Sequence, residues 1–447
     1  MKKLMLICAP VSSRSGYGDH ARDLVRSFLK TQKFDLKIFD VPWGETPRNA
    51  LDEELDKNIL SRILSEPKLD RKPDVYVDIR IPNEFQQWGK LNIGITAGIE
   101  TTTVSSNWIE NCNKMDLIIV PSNHSKNGFV NALYEKMQNL PNGQQQKVGE
   151  VKLEKPIEVL FEGTNENIYK QIDNSSLDLV DDIKEDFCFL HVGLWGKGEY
   201  GEDRKDISKL IKLFYESFAN KKKQPALILK TAGAGFSILD REECLRKINL
   251  IKSKFPSDWK LPNVYLLHGS LSDSEMNKLY NHPKVKSFIS LTHGEGYGRP
   301  LQEATMVGLP VITSGWSGQL DFLSQTDSML LGGELVKVPK SQHWKDIIIP
   351  ESQWFNVNET QAYKAMNYCF ENYDEVKEKA LNLMKINRGT FTLDKMTEKL
   401  DEIVTPYLNK VPTQVGLQLP KLKKVKDKVE PPKIKLPKLK KTSEATV

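Results

Sequence analysis

Two carboxylates stand eight positions apart in the stretch GEGYGRPLQEA, residues 294–304: Glu295 among three glycines, Glu303 behind an arginine and a proline. The apolar run FISL leads into this stretch and GLPVITS follows it. That order reads strand, glycine-rich turn, helix, strand. Pro300 suits the first turn of a helix, where its missing N–H costs nothing. Gly294, Gly296 and Gly298 allow a backbone to approach a ligand closely, and the free N–H groups of a helix start favour an anionic or hydroxyl-rich one. Glu295, in the loop, is placed to accept hydrogen bonds from sugar hydroxyls. Glu303, one turn into the helix, is placed to grip a diol such as a ribose.

Carboxylates can be held this way only by a rigid frame, and the chain supplies the pattern of one. The runs KKLMLICAP, FDLKIFDVP, PDVYVDIRI, KLNIGITAGIE and DLIIVPS fall within the first 130 residues. Between them lie GDHARDLVRSFLKTQ and NALDEELDKNILSRILSE, whose apolar residues recur at three and four. Continuous apolar strands alternating with amphipathic helices predict a parallel sheet covered on both faces. Residues 138–150, QNLPNGQQQKVGE, are polar and turn-rich and predict a mobile insertion. A second α/β series starts near Phe187 with FCFLHVGLW, DISKLIKLFYESFAN and PALILKTAG, and runs on through NVYLLHGS to the two-glutamate stretch. Two doubly wound units in tandem face each other across a cleft, with ligands at the carboxyl ends of the strands. Helices over 359–387 and 392–408 follow.

Composition narrows the class. The chain has 447 residues, 39% hydrophobic and 28% charged, as in a globular protein with two or three domains. Its five cysteines are scattered without CxxC spacing, which argues against a disulfide framework or a zinc site and fits a reducing compartment. MKKLMLICAP is too short for a signal peptide and reads as a first buried strand. With no apolar run of membrane-spanning length, the expected location is cytosolic. From Lys410 onward eleven lysines face Asp427, Glu430 and Glu444, a net +8. The whole chain is +5, so residues 1–409 carry −3. This tail repeats LPKLKK at 419–424 and 436–441 and cannot bury a core, so it is expected to be disordered.

The stretch EGYGRPLQEA, with GLPVITS after it, resembles the E-x7-E signature of retaining, family-4-like glycosyltransferases of the GT-B fold. The order of elements agrees over roughly residues 1–405, and THGEGYGRPLQEA with SGQLDFL is most similar to glycosyltransferases of tailed-phage genomes. The resemblance implies an α/β protein of two facing, doubly wound Rossmann-like domains. Residues 1–170 would form the acceptor domain and 171–375 the nucleotide-sugar donor domain. Helices over 376–409 would pack back on the first domain, ahead of a disordered basic tail over 410–447.

It also implies roles. Glu295 would face the transferred sugar and Glu303 the nucleotide ribose, with Gly296, Tyr297 and Gly298 around the donor. Arg204 and Lys205, in HVGLWGKGEYGEDRKDISKLIKLF, fit the basic pair that meets the donor diphosphate, although Leu194 stands where many relatives have Arg. A leaving diphosphate gains negative charge, and fixed cations lower that barrier. Gly16 and Gly18, in APVSSRSGYGDHARDLV, resemble the loop that approaches the donor phosphate from the first domain. Glu100 is the acceptor-side candidate and Trp108 a packing residue. IEVLFEGTNENIY resembles the crossover linker, with Asn165 where Asp is common, and Lys230 either contacts phosphate or is solvated. No histidine pair has zinc spacing and no D-x-D occurs, so no metal or cofactor is expected.

The implied reaction is hexosyl or pentosyl transfer from a donor such as a UDP- or GDP-sugar to an acceptor hydroxyl. That acceptor is a glycan, a lipid-linked sugar or a modified DNA base. The lysine tail suits a DNA backbone or an anionic membrane surface, or simply solubilises the chain. The alternative is a non-catalytic nucleic-acid-binding protein on a GT-B scaffold, which would have no need of both glutamates and the Arg-Lys pair.

Overall fold

The computed structural model describes residues 2–140, 144–173, 175–198, 200–233 and 235–412. The basic tail from residue 413 onward lies outside them. Two six-stranded parallel sheets form the frame. The first contains β1 (Lys3–Ala9), β2 (Phe34–Asp40), β3 (Val75–Ile79), β4 (Leu91–Ile95), β5 (Leu117–Val120) and β8 (Ile157–Val159), in the order β2-β1-β3-β4-β5-β8. The second contains β9 (Cys188–Val192), β10 (Ala226–Lys230), β11 (Val264–Leu267), β12 (Val285–Ser290), β13 (Val311–Ser314) and β14 (Met329–Leu331), in the order β11-β10-β9-β12-β13-β14. Strand order reverses between β1 and β3 in the first sheet and between β9 and β12 in the second. Clefts open at such switch points.

Antiparallel ribbons are made by β6 (Leu133–Asn139) with β7 (Gln145–Lys152), and by β15 (Gly333–Lys337) with β16 (Gln353–Val357). The helices are α1 (Gly16–Thr31), α2 (Lys57–Leu60), α3 (Ser106–Cys112), α4 (Asn123–Val130), α5 (Asp178–Asp181), α6 (Ile207–Phe218), α7 (Ile238–Lys252), α8 (Asp273–Asn281), α9 (Arg299–Met306), α10 (Glu359–Glu371), α11 (Tyr373–Thr390) and α12 (Leu393–Leu408). Among the described residues, no helix is long and apolar enough to cross a membrane.

The central strands are buried on both faces, as their unbroken apolar runs require. Alternate β1 residues Met5, Ile7 and Ala9 enter one core with α1 and α12, while Leu6 and Cys8 enter another with Tyr76. In the second sheet Phe189, Leu227 and Leu229 pack against α6 and α7, and Leu190, Ile228 and Phe288 pack against α8 and α9. Trp108 is buried and stacks on Phe129, the packing role expected for it. All five cysteines are buried and free.

Three elements differ from the sequence-based expectation. NALDEELDKNILSRILSE has a helical period, yet α2 alone is helical there. Asp52 accepts from the N–H groups of Glu54 and Leu55, and Asp56 accepts from that of Asp52, bonds that favour turns over a continuous helix. The chain then extends beside β2, with the Leu64 N–H donating to the Ile38 carbonyl at 2.9 Å. Flanks of the expected insertion at 138–150 pair as the β6–β7 hairpin, because polar alternating residues suit an exposed two-stranded ribbon. Return to the first domain begins at α12 rather than at residue 376. Val376 and Leu383 of α11 are buried in the cores of the second sheet.

Met396, Leu400, Ile403, Val404 and Leu408 recur at helical spacing along α12 and fill the first core. Thr392 caps the helix through the Lys395 N–H, and Thr397 Oγ lies 2.9 Å from Ser27 Oγ on α1. Val411 is buried in the same core, and its carbonyl accepts from Lys3 Nζ at 2.7 Å. The first domain is therefore closed by a helix that follows the second domain in sequence. Leu400 is fully buried, so Leu400→Ala should destabilise the protein by ~2–5 kcal/mol in urea unfolding. Lys30→Ala removes an exposed ion pair with Asp394 and should cost less than ~1 kcal/mol. Equal losses would mean that α12 is held by its rim charges and not by its apolar face.

Candidate active site

The turn between β12 and α9 runs along main chain of the first domain. A Cβ on Gly294 would overlap the Glu100 carbonyl oxygen, and one on Gly296 the Ala97 carbonyl oxygen. Ser122 Oγ donates to the Gly296 carbonyl at 2.6 Å. Gly318 lies against Gly296 in the same way, and its N–H donates to the Glu295 carbonyl at 2.9 Å. Gly294 and Gly296 are therefore required by backbone-to-backbone contact between the domains. Gly298 has φ +103°, the left-handed region that starts α9, and Pro300 takes the first turn.

Tyr297 also departs from expectation. Its ring lies in the core beside Phe322, and its hydroxyl accepts from Gln302 Nε2. Burial raises its pKa well above the usual phenol range. The side chain is structural, so any donor contact at this position falls to its main chain.

Glu295 is buried between two cations that follow β9. Lys205 Nζ donates to Oε1, and Arg204 Nη1 lies 3.1 Å from Oε2 and 3.0 Å from the Gly294 carbonyl. The Ser317 hydroxyl accepts from the Glu295 N–H at 2.9 Å. Ser317 itself has φ +79°, so its hydroxyl is presented from a strained turn. Burial pushes the Glu295 carboxyl up, but Lys205 and then Arg204 more than reverse this and hold it at about 2. Burial draws the Lys205 ammonium down despite Glu295. Arg204 Nε also lies 3.7 Å from Glu100 Oε1, which brings the acceptor-side candidate to the same cluster.

Glu303 occupies a different setting. It is buried, accepts from the Tyr280 hydroxyl at 3.0 Å, and lies 3.2 Å from Arg299 Nε. Burial pushes its carboxyl up to about 8, against the lowering pull of Arg299. A carboxyl protonated near neutrality donates as well as accepts, which suits a vicinal diol. Arg299 reaches across the cleft to Asp23 on α1, with Nη2 2.6 Å from Oδ2. Glu162, after β8, lies 3.9 Å from Arg299 Nη1, and burial raises it to about 7.

The remaining expected residues sit nearby in the frame. Lys230 ends β10, donates to the Gly269 carbonyl, and is drawn down to about 8 by burial. Gly18 allows α1 to start against the Ser13 carbonyl, and its N–H donates to Ser15 Oγ. Gly16, the first residue of α1, has open space around it. Arg299, Asp23, Glu162, Tyr280 and Ser317 are the residues that sequence reasoning does not single out. Arg299 is inside the quoted motif, but its partner is far away in sequence.

Residues 202–350 match the family model of glycosyl transferases group 1, a window that contains Arg204, Lys205, Lys230, Glu295 and Glu303. Among solved structures the chain is similar to Anabaena Alr3699/HepE in complex with UDP and glucose. Identity is 12% and the TM-score 0.58, over 90% of this chain and 100% of that one. Sucrose-phosphate synthase (tll1590) from Thermosynechococcus elongatus has 12% identity and a TM-score of 0.61, covering 92% and 100%. Alpha,alpha-trehalose 6-phosphate synthase from Burkholderia multivorans has 10% identity and a TM-score of 0.54, covering 92% and 99%. No curated protein matches the chain in sequence. These likenesses show the fold: two Rossmann-like domains in the GT-B arrangement.

The raised pKa of Glu303 has a measurable consequence. The folded protein keeps a proton that the unfolded chain releases near 4.5, the ordinary value, and itself releases it only near about 8. Between those limits the native state binds more protons, so this group makes stability fall as pH rises. Glu303→Gln keeps an acceptor for Tyr280 and removes the titration. Its drop in melting temperature between about pH 5.5 and about pH 8 should be smaller than that of the wild type. Parallel curves for the two proteins would place the Glu303 pKa at its ordinary value.

Proposed function

We propose that the chain is a retaining glycosyltransferase that moves a sugar from a nucleotide-sugar donor to an acceptor hydroxyl. The observation that carries this reading is the Arg204–Glu295–Lys205 cluster, with Glu295 and Lys205 buried and Arg204 partly exposed, beyond the carboxyl ends of β9 and β12. It lies in a fold shared with a protein that holds UDP and glucose, and within the window matched by a glycosyltransferase model. A non-catalytic scaffold would have no use for a buried lysine and carboxylate with a second cation, Arg204, at their rim, because burying such charges is costly.

Each residue has a role in this reading. The bond between the anomeric carbon and the diphosphate oxygen breaks as the acceptor oxygen bonds to that carbon on the same face. The acceptor proton passes to an oxygen of the leaving phosphate. Arg204 and Lys205 stabilise the charge that develops on the diphosphate, and their fixed positions require no reorganisation at that moment. Glu295 holds both cations in place and orients the transferred sugar. Glu303 binds the ribose diol. Transfer on this plan draws its positive charge from side chains and not from a metal ion. Glu100, beside Arg204, faces the acceptor.

A thermal-shift panel of nucleotide sugars, beginning with UDP-glucose, followed by hydrolysis and transfer assays on the hits, tests the function. Arg204→Gln and Lys205→Gln should weaken UDP binding by at least about tenfold while uridine binding changes little. Glu295→Ala should abolish turnover with nucleotide still bound. Formation of a β-linked product from an α-linked donor, which is inversion, or equal losses of UDP and uridine in the cation variants, would sink the respective part of the scheme.

A further inference from the structure

Arg299 is the first residue of α9 and is mostly buried, with its side chain 16% exposed. Its guanidinium meets three segments. Nε bonds Glu303 on its own helix at 3.2 Å, and Nη2 bonds Asp23 on α1 of the first domain at 2.6 Å. Nη1 lies 3.9 Å from Glu162 in the crossover and has no hydrogen-bond partner. Asp23 is itself fixed, because Arg26 Nη1 donates to it at 2.8 Å and reaches Asp56 at 2.7 Å through Nη2. A continuous chain of polar contacts therefore runs Asp56–Arg26–Asp23–Arg299–Glu303–Tyr280, from the first domain into the interior of the second.

Two properties of this chain decide what it does. Charge-assisted bonds in a desolvated site are strong and directional, and the guanidinium fork holds the Asp23 carboxylate and the Glu303 carboxyl at once. Among the described residues the hydrogen-bond partners of Glu303 are the Tyr280 hydroxyl and Arg299 Nε, so its orientation depends on Arg299. Arg299 in turn is aimed by a residue of the opposite domain. We propose that Arg299 is a positioning residue that couples the two domains, setting the diol-binding carboxyl of Glu303 only while α1 stands against α9. Nucleotide affinity in the second domain then depends on Asp23 in the first. This inference rests on the reading of Glu303 as the ribose-side group.

The test is calorimetric titration of the full-length protein with UDP and with GDP. It compares wild type, Asp23→Asn, Arg299→Gln, Arg299→Lys and the Asp23→Asn/Arg299→Gln double variant. Asp23→Asn, an isosteric change, should lower affinity for the bound nucleotide by about fivefold or more, the range of an ordinary coupling between sites. Arg299→Gln should lower it at least as much, and the double variant should be no weaker than Arg299→Gln alone. Arg299→Lys should regain part of the loss by restoring the charge, a rescue that a packing role would not produce. Melting curves of each variant verify folding. Unchanged affinity in Asp23→Asn, or losses that simply add in the double variant, would overturn the coupling while leaving the donor site intact. A wild type that binds neither nucleotide would instead overturn the reading on which it rests.

Discussion

Main chain meets main chain where the two sheets face each other, and no side chain can stand between them. Gly294 and Gly296 lie against the carbonyls of Glu100 and Ala97, and Gly318 lies against Gly296. This steric condition brings Glu100 within reach of Arg204, and so places a carboxylate of the first domain beside the cation pair of the second. It also accounts for the hydroxyls of Ser122 and Ser125 on the Gly296 carbonyl, which satisfy a polar group that the contact would otherwise bury unpaired. A residue with a β-carbon would hold the domains apart and take the site with it.

The two glutamates of the motif show how one spacing yields opposite chemistry. Both are buried, yet Glu295 has two cations beside it and titrates near 2, whereas Glu303 shares one cation with Asp23 and titrates near 8. Sequence distance places them on one loop and one helix. Neighbouring charge then separates them into a permanent anion and a group able to donate.

The parallel strands and the two-domain plan are legible in the sequence because strands buried on both faces must be apolar throughout, and helices between them must be so on one side. Met396 and Leu400 betray α12 by the same logic. The glutamates and the Arg204–Lys205 pair are legible as a motif, with glycine and proline marking the turn. What fails is whatever depends on remote partners or on competition for backbone bonds. Asp52 and Asp56 hold turns ahead of α2, where apolar spacing alone supports a longer helix. Tyr297 looks like a ligand residue until Phe322 encloses its ring. Nothing near Arg299 in the sequence announces Asp23.

The first domain is assembled from β1 to β8 and from α12, which the chain reaches only after the whole second sheet, and this inverts the usual order of maturation. A nascent chain normally completes its amino-terminal domain first. Here the strands β1 to β8 leave the ribosome with one apolar face uncovered, because Met396, Leu400 and Val404 are still to be made. The second sheet and its helices, ending with α11, emerge entire before α12 does. The second domain thus has all its parts while the first still presents an open hydrophobic surface. Translation of the last helix closes the older domain, and the bond from Lys3 to the Val411 carbonyl joins the earliest described residues to the latest.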